Sequence, residues 1–232
     1  MMKFKGLHKV SLIDYPGKIC AIVFTGGCNF RCQYCHNPEL VIGDDKLPDI
    51  PEAEILSFMQ KRCTSRSKLL DGLCISGGEP TIWEELPKFM KTIKGIGLLV
   101  KLDTNGTNPD MIREVIGNGS VDYIAMDIKG TPERYPQIVG QGFSLTKIQT
   151  SIELLLQNKI DYEFRTTVFP EFFTEEEAKQ ISKWVKGAKR YVLQKPHIEK
   201  TLNGKFHQKI RLYGEQELIN LAKLLPNCIV RL

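Results

Sequence analysis

No apolar run in this 232-residue sequence approaches the roughly 18 residues that cross a membrane. The basic start, Met1 to Val10, has no apolar core behind it, so it does not read as a secretory leader. The chain is therefore expected in the cytoplasm, where free thiols persist. Seven cysteines, an odd count, argue against a disulfide framework. Charge of one sign is also scarce: the formal net charge is +5 and evenly spread. That is too little to indicate nucleic-acid binding, though it suits an acidic protein partner or a nucleotide. At 42% hydrophobic and 25% charged residues the composition is that of an ordinary globular protein. One domain over 1–232 is expected, with a core at about 12–197 and a C-terminal helix and strand over 198–232.

Against that plain background, residues 23–38 stand out. Cys28, Cys32 and Cys35 fall in a C-x3-C-x2-C spacing just after an apolar run, Ile19 to Phe24. That run reads as a buried strand, and Gly26 and Gly27 let the backbone turn after it. Three thiols on one short loop can hold an iron–sulfur cluster. A structural zinc normally takes four closed ligands, and no fourth cysteine lies near; His36, adjacent to Cys35, is badly placed to share one ion. Zinc and unrelated thiols stay open as alternatives on spacing alone.

The rest alternates. Strands are predicted at 18–24, 70–76, 98–103, 123–128, 162–168 and 191–194, most followed by a helix. Helices are expected at about 52–62, 84–94, 109–116, 145–158 and after Thr174, where Glu177 completes a capping box. Residues 215–225 and 228–232 read as a last helix and strand. The unusual polar residues gather at strand C-termini, the end that carries the active site in parallel barrels. Six βα units predict an α/β fold, a partial (β/α)6 TIM-type barrel open on one side.

The cysteine spacing, with aromatic Tyr34 before the third cysteine, resembles the signature of the radical S-adenosylmethionine (SAM) superfamily. The string from Cys28 to Pro38 and the opening Ser11–Lys18 are similar to the glycyl-radical-enzyme activases. The nearest likeness is to activating proteins of anaerobic ribonucleoside-triphosphate reductase, with pyruvate formate-lyase activating enzyme a near relative. That resemblance implies an oxidoreductase with a [4Fe–4S] cluster on Cys28, Cys32 and Cys35, one iron being left to bind SAM. It also implies reductive cleavage of SAM and formation of a glycyl radical on a partner enzyme. The partners would be a glycyl radical enzyme, with anaerobic ribonucleotide reductase first, and flavodoxin or ferredoxin as electron donor. No nucleic-acid or membrane partner is expected.

The same resemblance assigns further residues. Gly77, Gly78 and Glu79 match a Gly-Gly-Glu-Pro loop that grips the methionyl amino group; a carboxylate suits an ammonium. Asp103, Thr104 and Asn105 would lie beside the cofactor. Asp103, Thr104 and Asp127 would hold a monovalent cation, Na+ or K+, through oxygen ligands. Lys129 and Arg165 would serve the active site and contact the cofactor, joined by Tyr34, His36 and His197. The basic stretch Lys195–Arg211 reads as a solvated loop or a docking surface. Cys20, Cys63, Cys74 and Cys228 match no motif. Activation of a pyruvate formate-lyase-type enzyme, radical chemistry on a small molecule, and a non-catalytic zinc module are the alternative functions.

Overall fold

The structure, a computed structural model, describes residues 1–64, 67–196, 198–204, 206 and 210–232. Strand β1 (Phe4–Ser11) runs antiparallel to β2 (Cys20–Thr25). The cysteine loop follows β2 and leads to the short helix α1 (Pro38–Val41) and then α2 (Glu52–Arg62). A small hairpin, β3 (Cys63–Thr64) with β4 (Ser67–Lys68), precedes β5 (Gly72–Gly77) and α3 (Leu86–Gly95). Next come β6 (Leu99–Thr104), α4 (Pro109–Gly117), β7 (Tyr123–Asp127), α5 (Tyr135–Val139) and α6 (Leu145–Leu156). The chain ends through β8 (Asp161–Thr167), α7 (Glu175–Trp184), β9 (Tyr191–Gln194), α8 (Glu215–Ala222) and β10 (Cys228–Arg231).

Eight strands make one sheet in the order β1-β2-β5-β6-β7-β8-β9-β10. From β2 to β10 every pairing is parallel. The six expected βα strands are thus consecutive neighbours, as a partial barrel requires. Two strands flank them: β10 was anticipated, but β1 was not, because Lys5, His8 and Lys9 interrupt its apolar pattern. An edge strand tolerates those charges because only part of it is buried. The sheet therefore begins before Leu12. Among the described residues no helix is long and apolar enough to cross a membrane.

Alternation along the strands separates two interiors. Toward the helices, Val23, Ile75, Leu102, Ile124, Met126 and Phe164 join the main apolar core. Helix α3 buries Phe89, Met90 and Ile93 against it. Asn108 caps α4 by accepting the Met111 N–H at 3.2 Å, and the Thr174–Glu177 capping box starts α7. The opposite, concave face holds a small apolar floor of Tyr15, Cys20, Ile22, Cys74, Tyr123 and Ala125. Above that floor, toward the strand C-termini, the same face turns polar and charged.

Candidate active site

The cysteine loop is stitched to its neighbours mainly by main-chain hydrogen bonds. On one side the Glu79 N–H donates to the Gly27 carbonyl at 2.8 Å, and Gly78 N–H to Thr25 at 2.9 Å. On another, Arg31 N–H reaches Val139 O at 2.8 Å, and the Gln33 side chain donates to Gln137 O at 2.9 Å. On a third, residues 202–203 cross the loop: Leu202 N–H donates to Cys35 O and Asn203 N–H to Gln33 O, each at 3.0 Å. This is part of the basic stretch expected to be a solvated or docking loop. It lies on the cysteine loop because those two carbonyls need partners, and Phe206 anchors it against Tyr34 and Phe169.

Gly77 and Gly78 are needed for this stitching. A Cβ at Gly78 would stand 1.8 Å from Gly27 O, and one at Gly77, where φ is +121°, 2.3 Å from Thr25 N. Glu79 lies between the same loops. It is 1% exposed. One carboxylate oxygen accepts Thr81 N–H at 3.1 Å, the Thr81 hydroxyl at 2.5 Å and the Thr104 hydroxyl at 2.7 Å; the other accepts Asn105 N–H at 2.7 Å. Burial pushes its pKa up even against these donors. Three donors thus converge on one oxygen and one on the other, tying the loops after β5 and β6 together. Asn105 is also internal: its amide donates to Asn29 at 2.8 Å and accepts the Thr107 hydroxyl at 2.7 Å. The sequence reading overlooked Asn29, whose place between Cys28 and Phe30 was the available clue.

The concave face carries a row of charges. Lys101 pairs with Asp103. Arg165 bridges Asp103 at 3.2 Å and Asp127 at 2.9 Å, and Lys129 closes on Asp127 at 2.9 Å. Ser76 also donates to Asp103, at 3.2 Å. Burial opposes every charge here, but the opposite charges outweigh it. Asp103 and Asp127 are held below the ordinary carboxylate range, chiefly by Arg165. Lys101 and Lys129 are held above theirs by those carboxylates. Arginine and lysine pair with the two aspartates Asp103 and Asp127, and the Thr104 hydroxyl donates to Glu79. Lys101 was not singled out from sequence; a charge inside the apolar run Leu99–Leu102 was its only signal.

Cys32 is buried, and Cys28 and Cys35 partly so. Burial raises all three thiols, Cys28 to about 12 and Cys32 to about 11. The positive charge of Lys129 opposes that rise at each of them. Phe30 N–H points at the Cys28 sulfur at 3.4 Å. Among the described residues no three His, Cys, Asp or Glu side chains converge to hold a single metal ion. Three cysteine thiols on one short loop are the donor type of an iron–sulfur cluster, which takes each thiolate on its own iron, so the donor set fits a cluster. Among the described residues the buried Tyr34 hydroxyl has no hydrogen-bond partner, which fits a bound molecule completing it. His36 is exposed beside Asn37, their side chains 3.2 Å apart. His197 lies outside the described residues.

The sequence profile of the Radical SAM superfamily matches residues 22–185, from β2 through α7. The chain belongs to this superfamily. Membership implies an iron–sulfur cluster and SAM as cofactors, and an enzyme. A Methanocaldococcus jannaschii protein provisionally named a glycyl-radical enzyme activating enzyme is 32% identical over 237 residues, 97% of this chain and 94% of that one. The pyruvate formate-lyase-activating enzyme of Clostridium pasteurianum is 30% identical over 146 residues, 61% of this chain and 59% of its own. These place the radical SAM chain with the glycyl-radical enzyme activating enzymes. Streptococcus suis SuiB, in its crystal structure bound to S-adenosylmethionine, superposes with a TM-score of 0.64 at 11% identity, covering 88% of this chain and 48% of that one. The chain thus spans about half of SuiB, and the likeness is one of fold.

Proposed function

We propose that this chain generates a glycyl radical on a partner enzyme, most simply anaerobic ribonucleoside-triphosphate reductase, using an electron from flavodoxin or ferredoxin in the cytoplasm. The observation that carries the reading is the near full-length match to a protein of that named class. The sheet supports it. Its end strands β1 and β10 are not paired with each other, so the sheet is open along one side.

When bound, the cluster and SAM supply the radical chemistry: one-electron cleavage of the sulfonium to methionine and a 5′-deoxyadenosyl radical. Cys28, Cys32 and Cys35 hold the cluster. Tyr34, whose buried hydroxyl has no partner among the described residues, and Lys129 would serve the bound cofactor. Arg165, fixed between two aspartates, orients polar groups at the mouth. Glu79 and Asn105 keep the loops in register. Packing of Leu202, Asn203 and Phe206 over the cysteine loop limits water there.

The test is anaerobic. Reconstituted, reduced protein, SAM and the candidate reductase are mixed and electron paramagnetic resonance is recorded. A glycyl doublet on the reductase with matching 5′-deoxyadenosine supports the reading. 5′-Deoxyadenosine without a radical on any glycyl radical enzyme of the host overturns it. The 30% identity to the Clostridium pasteurianum enzyme makes a pyruvate formate-lyase-type partner the second candidate in the same assay.

A further inference from the structure

A group of exposed apolar side chains gathers at the end of the sheet away from the cysteine loop. Val10 near the end of β1, Leu12 in the turn after it, Ile19 just before β2, Phe58 in α2 and Leu69 before β5 line one groove of about 350 Å³. Leu12 is 72% exposed, Ile13 beside it 74% and Leu69 53%. Single exposed apolar residues are ordinary, but a contiguous set marks a contact surface. The six residues of β2 separate this end from the cysteine loop, about 20 Å of strand. A partner seated here does not cover the site.

The exposure is built in. The Ser11 hydroxyl accepts the Ile13 and Asp14 N–H groups, each at 3.2 Å, and donates to Asp14 at 2.5 Å. Tyr15 turns back into the floor beside Tyr123, and Asp71 accepts the Ile19 N–H at 2.9 Å. The turn is held by its own bonds with Leu12 and Ile13 left outside, which lowers the cost of ordering them on a partner.

Charge identifies the occupant. The charged residues lining the groove, Lys9 and Arg62, are both cationic, and the Arg62 guanidinium lies over the Phe58 ring at 5.4 Å. Among the described residues no carboxylate lines it. A second copy of this chain would bring the same two cations against them, and like charges oppose such a contact. A groove receives the side chains of a partner, and here the complement is an apolar segment flanked by carboxylates. Lys9–Ile19 also lies outside residues 22–185, which match the superfamily profile. The match to the Methanocaldococcus jannaschii protein covers 97% of the chain, too much to leave that segment out. The groove thus belongs to what the chain shares with that relative, as a surface for the activated partner would.

We propose that this groove docks an acidic, apolar segment of the glycyl radical enzyme that the chain activates, as a second contact remote from the reacting glycine. This rests on the activating role proposed above.

The test follows glycyl radical formation by electron paramagnetic resonance against the concentration of the enzyme that the wild-type protein activates. One variant carries Leu12→Ser with Ile13→Ser, the other Lys9→Glu with Arg62→Glu. Each is expected to raise KM about tenfold while the maximal rate, and SAM cleavage by dithionite-reduced protein without partner, stay at the wild-type level. Wild-type KM rises with salt, and the Lys9→Glu, Arg62→Glu protein loses that dependence. The two pairs share no residue, so either decides if the other does not fold. Wild-type protein that forms a radical on no glycyl radical enzyme defeats the activating role itself. A wild type that does so, with a folded variant of unchanged KM, overturns the groove's role alone. At unchanged KM, a wild-type dimer that becomes monomeric in the Leu12→Ser, Ile13→Ser protein gives the groove to a second copy. Sedimentation with phosphatidylglycerol vesicles that the same variant loses, again at unchanged KM, gives it to a membrane. Either result overturns the proposal.

Discussion

The Glu79 carboxylate accepts the Asn105 backbone N–H at 2.7 Å, locking the loop after β5 to the loop after β6. Neither partner is exposed, so the bond belongs to the frame of the site. Glu79→Gln would turn an amide N–H toward a donor now satisfied by the carboxylate. A loss of about 1–3 kcal/mol is expected in the cluster-free chain. Chemical denaturation without SAM checks this, and unchanged stability would return Glu79 to the role of a ligand.

Gly78→Ala drives a Cβ into the Gly27 carbonyl and separates the cysteine loop from the loop after β5. A cost of about 1–3 kcal/mol is expected, with poorer iron uptake at matched temperature. Normal iron content in a variant of normal melting temperature would disprove the stitching.

Alanine at Cys28, Cys32 or Cys35 is expected to abolish iron and sulfide incorporation, since each thiolate serves its own iron. Cys63, whose sulfur faces the Ile96 carbonyl at 3.4 Å, and Cys228 are expected to be dispensable. Loss of the cluster on changing Cys63 alone would contradict the ligand set.

The aspartates of the charge row make stability fall in acid. Burial opposes their ionisation, but Arg165 and then Lys129 hold Asp127 well below the ordinary value. A depressed folded pKa gives stability that is complete above the unfolded value, about 3.9, and that declines as pH drops below it. Asp127→Asn is expected to cost about 3 kcal/mol near neutrality, with the gap to wild type closing below about pH 4. Denaturant melts across that range give the answer; a gap independent of pH would refute the pairing.

The segment over the cysteine loop is held by two main-chain bonds, the Phe206 ring cluster and the exposed Lys200–Glu39 pair at 2.9 Å. Phe206→Ala is expected to speed proteolytic cleavage within 198–204 while the global melting temperature moves little, because a stretch held by few contacts opens locally. Equal cleavage rates would mean the ring does not anchor it.

Sequence by itself determined the six βα strands, their polar C-terminal ends and the three cysteines. Period and spacing are local properties, and each apolar strand followed by an amphipathic helix announces itself. The capping of α4 and α7 was legible for the same reason. Only the tertiary structure decided which groups face one another. β1 stayed hidden because an edge strand tolerates charges on its exposed positions. The motif names Glu79 but not the direction of its oxygens, which the fold turns toward Thr104 and Asn105. Lys101 read as a stray charge in an apolar strand. Its meaning depends on Asp103, Arg165, Asp127 and Lys129, contributed by β6, β8, β7 and the loop after β7, which meet only when the sheet curves and turns alternate side chains inward.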